Sequence, residues 1–371
     1  VGEQWDKSLK DLFTESSIKA LDDVGIDKID AIYVGNMSSD IFQGQANLGA
    51  LLSDCLGVYG IPAVRVEAAC ASGGLAVHEG LKAVASGLSD FVLVTGVEKM
   101  TDVQTPEATS ALMMGEDQEY AAFSGISFVG LHALIERLYM DKFKVNPEHI
   151  ATFAVNAHKN SVNNPYAQFH NLISVEDVLK SPMIADPMRL LECSSICDGA
   201  ASIILCPLDI AKKFTDTPIE IKASTVATDK LSLPEREDIL TFSATRVAVE
   251  NALKIAHINI QDVDVIEVHD AFSIVGIISL EDLGFVKKGE GANFVSDGQI
   301  EIDGKLPTNT LGGLKGRGHP IGATGVYQII DLVRQLMGEA GKSQVKNAEI
   351  GLAQNIGGTG ATAVINILAR V

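Results

Sequence analysis

Three short motifs in this chain each occur twice, in the same order. KIDAIYVGNMS at 28–38 is echoed by DVDVIEVHDAFS at 262–273, each an aspartate-flanked apolar run that ends in a polar turn. CASGGLAVHEGLKAVASG, starting at Cys70, is echoed by HPIGATGVYQIIDLVRQLMG, starting at His319. Both are Gly-rich turns that open an apolar face at helical spacing. DGAASIILCP from Asp198 and GTGATAVINIL from Gly358 are small-residue runs leading into a strand pattern. Ordered echoes of this kind are the mark of an internal duplication. Strand, glycine turn and helix in succession predict an α/β protein of two βαβ-type halves.

The spacings between the echoes differ. Cys70 and His319 are 249 residues apart, whereas Gly199 and Gly360 are separated by 161, so the first half holds 88 extra residues. This predicts a first half over 1–102 and 191–216, an inserted loop domain over 103–190 and a second half over 217–371. The insertion lacks strong strand alternation and ends at the turn SPMIADP. It carries one clear helix, GISFVGLHALIERLYMDKF, followed by ISVEDVLKS with Ser174 as its cap. The chain opens at VGEQWDKS, almost directly in a helical pattern and without an initiator methionine, so a preceding segment is expected.

Charge and cysteine usage narrow the function classes. A net charge of −19 gives no basic footprint for nucleic acid and no attraction to an anionic membrane. Five scattered cysteines, an odd number, form no disulfide framework and fit a reducing, cytoplasmic setting. Cys193 and Cys197 are the closest pair, but nothing completes a zinc pattern, and no metal is expected. The sequence shows neither a signal peptide nor an apolar run long enough to span a bilayer.

The stretch EAACASGGLAVHEG, 67–80, places Cys70 where the strand pattern of PAVRVEA gives way to a helix. A thiol at a helix start lies near the positive end of the dipole and beside free N–H groups, which favour thiolate. Ser72, Gly73 and Gly74 let backbone and acyl group approach closely. A histidine within reach would activate such a sulfur. His319, in RGHPIGATG, and His269, at the end of VIEVHDAF, are the two in suitable settings. His78 reads as a solvated helix residue, and Asp270 as the cap of the helix starting near Phe272. QNIGGTG at 354–360 lacks the GKS/T of a P-loop and reads as a glycine loop whose N–H groups can meet an oxyanion.

Together CASG at Cys70, DGAAS at 198–202, HDAF at 269–272, GHPIGATG at 318–325 and NIGG at 355–358 resemble the thiolase superfamily over essentially the whole chain. The resemblance implies a five-layer αβαβα fold and acyl transfer between coenzyme A thioesters, with CoA as substrate and no other cofactor. Carried over, Cys70 is the nucleophile and His319 its activator, which also holds the thioester oxygen of the second substrate. His269 stands where many thiolases have an asparagine, and the N–H groups of Cys70 and Gly357 form an oxyanion hole. Ser194 touches pantetheine and Phe272 lines the same channel.

One position departs from that pattern. Asn355 replaces the second cysteine that many thiolases use as acid and base, and Ala271 replaces the alternative one. The enolate-forming base is therefore open among His269, His319 and a water between them. The blocks look most like those of archaeal-type acetyl-CoA acetyltransferases. That implies condensation of two acetyl-CoA to acetoacetyl-CoA plus CoA, at the head of the mevalonate route. It also implies a homodimer or homotetramer, working beside HMG-CoA synthase through a small zinc-ribbon/OB-fold bridging protein. Arg137, Lys142 and Lys144 are candidates for the CoA phosphates, or simply a solvated face. The rival readings are a degradative 3-ketoacyl-CoA thiolase on longer or sterol-like chains, a decarboxylating ketoacyl synthase and a non-catalytic acyl-CoA- or lipid-binding protein.

Overall fold

The computed structural model describes residues 1–371. Ten strands form: β1 Ala31–Gly35, β2 Ala63–Val66, β3 Val92–Glu98, β4 Met183–Ala185, β5 Met188–Arg189, β6 Gly199–Leu205, β7 Ile219–Thr228, β8 Val265–Glu267, β9 Ile350–Gly357 and β10 Thr362–Arg370. The first sheet runs β2-β1-β3-β6, with β1 parallel to β2 and β3 and with β6 antiparallel to β3. The second runs β7-β10-β9-β8, with β8 parallel to β9 and with β10 antiparallel to β9 and β7. A parallel bridge from Ile266 to Thr308 occupies the place of β2 in this second sheet. The order β2-β1-β3-β6 thus recurs as Thr308-β8-β9-β10 in the second half, where β7 is added at the edge beside β10.

Burial follows that order. All seven residues of β3 are buried, and all but Ile350 of β9, because each is a central strand covered on both faces. Helices Ser72–Ala85 and Ile321–Met337 lie between the sheets, packed on each other and on strands of both. Leu9–Val24 and Leu48–Leu56 cover the outer face of the first sheet, and Ser243–Ala256 covers that of the second. Helix, sheet, helix pair, sheet and helix make the five layers. The Leu9–Val24 helix illustrates local determination: Ser8 and Asp11 form a capping box, and Gly25 ends it at φ 74°.

The glycines that open the two inner helices serve this packing first. A Cβ on Gly73 would lie 2.6 Å from the Gly322 carbonyl, and one on Gly325 would overlap the Gly74 nitrogen. Sequence reasoning assigned Gly73 and Gly74 to substrate access. Their immediate role is to let the two helix starts touch, which brings Cys70 and His319 to one place.

The chain leaves the first sheet at Glu98 and returns at Gly199. Between them lie helices Thr105–Leu112, Phe128–Phe143, Pro147–Ser161 and Val175–Lys180, and a small hairpin of β4 and β5 formed by SPMIADPMR. Ser174 caps the last helix through a capping box with Asp177. Phe128, Leu131, Ile135, Tyr139 and Phe153 of this segment share one core with Phe272, Ile274, Ile277 and Leu280. The insertion is therefore fused to the second half, although the chain enters it from the first. No helix is long and apolar enough to cross a membrane.

Candidate active site

Cys70 sits on a tight turn between β2 and the Ser72–Ala85 helix. Ala69 adopts a left-handed φ of 49°, unusual for a residue with a Cβ. Ser72 Oγ stabilises the turn by donating to the Ala69 carbonyl at 2.6 Å and accepting from the Ala68 N–H at 3.0 Å. The Cys70 side chain is 5 % exposed and packs with Met37, Met100 and Ile321. Burial, followed by the nearby carboxylates of Glu98 and Glu116, pushes the thiol up to about 12, and the Gly358 N–H near the sulfur pulls it partway back. The expectation that a helix start favours thiolate is thus corrected. Desolvation outweighs the dipole and favours the neutral thiol.

His319 offers a base. Thr324, one helical turn later, gives its only hydroxyl proton to the Pro320 carbonyl at 3.1 Å. Its oxygen lies 2.6 Å from His319 Nδ1, and with the hydroxyl proton assigned to Pro320 it accepts from Nδ1–H. The Nε2 is left as a bare lone pair, buried and without a protein partner. Burial, with Arg317 as second cause, lowers the imidazole to about 3, so it stays neutral. The backbone N–H of His319 donates to Cys197 Sγ at 3.1 Å, anchoring the residue from behind.

Asn355 sets the other imidazole. Its Oδ1 accepts the Gly74 N–H at 3.0 Å, and its Nδ2 donates to the Cys70 carbonyl at 3.1 Å. These two bonds fix the amide orientation, so the contact from Nδ2 to His269 Nδ1 at 3.2 Å is a donation to that nitrogen. His269 accordingly carries its proton on Nε2. Burial and the neighbouring His319 drive its basicity well below the ordinary value. The two rings stand perpendicular with centroids 5.1 Å apart, and donor atoms of Cys70, His269 and His319 lie within 4.8 Å of one another.

The structure corrects two further expectations. Asp270 caps the turn 313–317 rather than the helix starting at Ser273, accepting the Leu314 N–H at 2.7 Å and the Lys315 N–H at 3.4 Å. It thereby holds the segment leading into His319. His78 is half-buried and bonds Ser224 Oγ at 3.0 Å, bridging its helix to β7 instead of facing solvent.

The remaining candidates are close at hand. A Cβ on Gly357 would strike the Ala68 carbonyl, so this glycine lets the loop meet the Cys70 turn, and the N–H of the next residue, Gly358, favours the Cys70 thiolate. Ser194 is joined to the HDAF block by its backbone N–H, which donates to the Ala271 carbonyl at 2.8 Å. With the Cys193–Phe272 bridge beside it, this bond ties residues 193–194 to the second half. Phe272 is buried and stacks on His132 of the insertion at 4.3 Å between ring centroids. Arg137 pairs with Asp186 at 2.6 Å and Lys142 approaches Asp238 at 3.8 Å, so both have protein partners. Lys144 ends its helix at φ 56°.

Four further positions around these residues escaped the sequence reading. Thr324 carried a signal, since it follows His319 by five residues at the start of the same helix. Glu98, Glu116 and His132 carried none. The buried Glu98 carboxylate accepts N–H groups from Met37, Ser38 and Gly322, each at 3.0 Å, tying β1's end to the His319 helix.

Cys70, His269 and His319 form the one group of metal-type donors in the molecule. Cys70 and His319 offer lone pairs, but His269 presents a proton, so the set suits proton transfer better than a stable zinc site. Cys193 and Cys197 do not join in any donor cluster: the first bonds the Arg189 carbonyl at 3.4 Å, the second the His319 N–H.

Residues 2–209 match the thiolase N-terminal domain and 225–370 the thiolase C-terminal domain-like family. The chain is 50 % identical over 371 residues to an acetyl-CoA acetyltransferase of Methanothermobacter thermautotrophicus, covering 100 % of this chain and 96 % of that protein. It is 44 % identical over 380 residues to one from Methanocaldococcus jannaschii, covering 99 % and 96 %. Among solved structures, the Ltp2-ChsH2(DUF35) aldolase superposes with a TM-score of 0.86 at 21 % identity, over 100 % of this chain and 94 % of that one. Human mitochondrial 3-ketoacyl-CoA thiolase in complex with CoA gives 0.73 at 18 % identity, over 99 % and 93 %. With both family domains matched in sequence, and a thiol and two imidazoles converging where the two halves meet, this chain belongs to the thiolase family of acyltransferases.

Proposed function

We propose that the chain condenses two acetyl-CoA molecules to acetoacetyl-CoA and CoA through an acetyl-Cys70 intermediate. The observation that carries this reading is the complementary protonation of the two histidines around one thiol. A bare His319 Nε2 and a protonated His269 Nε2 provide a base and a hydrogen-bond donor. The 50 % and 44 % identical relatives, both called acetyl-CoA acetyltransferase, support the substrate.

In the first half-reaction His319 Nε2 takes the thiol proton as the sulfur attacks the thioester carbon. The N–H groups of Cys70 and of the loop at Gly357 and Gly358 receive the developing oxyanion. The proton then passes to the departing CoA thiolate, leaving acetyl-Cys70. In the second, the thioester oxygen of another acetyl-CoA accepts from His269 Nε2–H, which favours the enolate. His319 Nε2 takes the α-proton, carbon–carbon bond formation expels the Cys70 thiolate, and that thiolate recovers the proton. His319 thus replaces the missing second cysteine, because its Nε2 is the bare ring nitrogen.

CoA enters as substrate, with Ser194 and Phe272 beside the pantetheine path, and no other cofactor is invoked. Condensation in this direction is uphill, so an enzyme that consumes acetoacetyl-CoA must follow. We assign that place to HMG-CoA synthase in a cytoplasmic mevalonate route, joined through a small zinc-ribbon/OB-fold protein to a homodimer or homotetramer of this chain. A two-component neighbour in fold, the Ltp2-ChsH2(DUF35) aldolase, supports an assembly of that general kind.

Incubation with acetyl-CoA followed by intact-mass measurement tests the central step. An acetyl adduct lost in Cys70→Ala, followed by release of acetoacetyl-CoA without malonyl-CoA, is expected. Absence of the adduct in a protein that still binds acyl-CoA would favour the non-catalytic reading. Turnover confined to longer 3-ketoacyl-CoA would favour the degradative one.

A further inference from the structure

Glu116 belongs to the insertion, and none of the steps above uses it, yet it is buried at 3 % exposure against the catalytic glycine loop. The preceding Gly115 packs on the nucleophile turn: a Cβ there would lie 3.3 Å from the Ala69 Cβ and 3.4 Å from Met37 Cε. From this position the Glu116 carboxylate reaches Thr359. The Thr359 N–H donates to Oε1 at 2.6 Å and its hydroxyl lies 3.4 Å from Oε2.

Arg236 grips the same residue from another side. Its Nη1 donates to the Thr359 carbonyl at 2.7 Å and its Nη2 to the Thr359 hydroxyl oxygen at 3.1 Å. One threonine thus sits between a buried carboxylate and a largely buried guanidinium, and the three come from distant parts of the chain. Gly358, immediately before it, holds a left-handed φ of 61°, and a Cβ there would lie 2.8 Å from Glu116 Oε1. The N–H of that glycine lies near enough to the Cys70 sulfur to favour its thiolate.

We propose that Glu116 and Arg236 clamp Thr359 and so hold the Gly358 N–H against the Cys70 sulfur, making Glu116 a positioning residue for acyl transfer. The catalytic part of this inference rests on the acetyl-Cys70 reading. The clamp itself does not.

The clamp has a built-in pH dependence. Burial raises Glu116 to about 7, Arg236 opposes that rise and Asp117 on its own turn adds to it. Asp229 stands behind Arg236, and the Cys70 thiol, with Glu98 and Glu67 around it, faces the clamp from the nucleophile turn. Below about pH 7 the carboxylate is neutral, and its charge-assisted bond to the Thr359 N–H weakens.

Two measurements test this. Hydrogen exchange over residues 355–360 reads the clamp without substrate: faster exchange is expected in Glu116→Ala and a smaller increase in Glu116→Gln. Unchanged exchange in both overturns the clamp, whatever the enzyme acylates. Acetylation of Cys70, timed by intact mass, reads the consequence. At pH 8 Glu116→Gln is expected to acetylate about tenfold more slowly, with its half-saturating acetyl-CoA concentration unchanged. The wild-type rate should fall as pH drops through about 7, whereas the Gln variant lacks that limb. Equal rates at pH 8, a limb retained in Glu116→Gln, or an effect confined to half-saturation would overturn the positioning role. A wild-type protein that never acetylates would instead overturn the acetyl-Cys70 reading, with the exchange result still deciding the clamp. Arg236→Gln, which removes the opposite jaw, should reproduce the exchange change.

Discussion

Asn355 Nδ2 lies 3.1 Å from the Cys70 carbonyl and 3.2 Å from His269 Nδ1, so one amide joins the nucleophile's backbone to the second imidazole. Because Gly74 fixes the amide's other end, that contact decides which nitrogen of His269 holds the proton. The residue standing in place of the family's second cysteine therefore acts on proton placement.

Asn355→Asp reverses that placement. A carboxylate accepts from Nδ1–H, which leaves His269 Nε2 bare and removes the donor for the thioester oxygen. Acetoacetyl-CoA formation should fall by about a hundredfold or more. The new carboxylate–histidine pair also completes a thiol and two-imidazole donor set, so zinc inhibition should sharpen, read by titrating activity with zinc. A variant with unchanged turnover would contradict the tautomer assignment.

Thr324→Val removes the acceptor that keeps the His319 proton on Nδ1, at nearly constant volume. Acetylation of Cys70 should slow by about tenfold to a hundredfold, since a misplaced proton disables the base. Circular dichroism should show the fold intact. Wild-type acetylation kinetics in this variant would show that Thr324 does not orient the ring.

Alkylation by iodoacetamide reads the state of the thiol. With Cys70 pushed up to about 12 and His319 down to about 3, the sulfur is a neutral thiol at pH 7. The thiolate fraction then grows about tenfold per pH unit, so the rate should keep climbing beyond pH 9. A plateau below pH 8 would reveal a thiolate stabilised by the helix start.

Gly73→Ala probes the contact between the inner helices. The added Cβ would stand 2.6 Å from the Gly322 carbonyl and force the two helix starts apart. A loss of about 1–3 kcal/mol in urea unfolding is expected, together with slower acetylation, because the same contact brings Cys70 and His319 together. Unchanged stability would mean that the helices accommodate the methyl without moving.

The duplication was legible because each echo is a local pattern: alternating apolar residues for β1 and β8, glycine turns before the inner helices, small residues before β6 and β10. The site's outline followed from it, since equivalent helix starts in a duplicated fold face each other. Local pattern misled where burial governs. It promised a thiolate at Cys70, solvent around His78 and a helix cap at Asp270, and each depended on neighbours distant in sequence.

Two α/β halves and the thiol and two histidines that converge between them could be read directly from the chain. Residue type, period and spacing are written along the chain and need no partner. The hydrogen-bond partners of each imidazole, what the glycines make room for, and where the insertion is anchored follow only from the folded chain. His269 takes its proton state from Asn355, 86 residues away, and the glycine loop is held by Glu116 across 243. Protonation and loop position depend on which groups stand within about 3 Å in space, and that is set only when the core has closed.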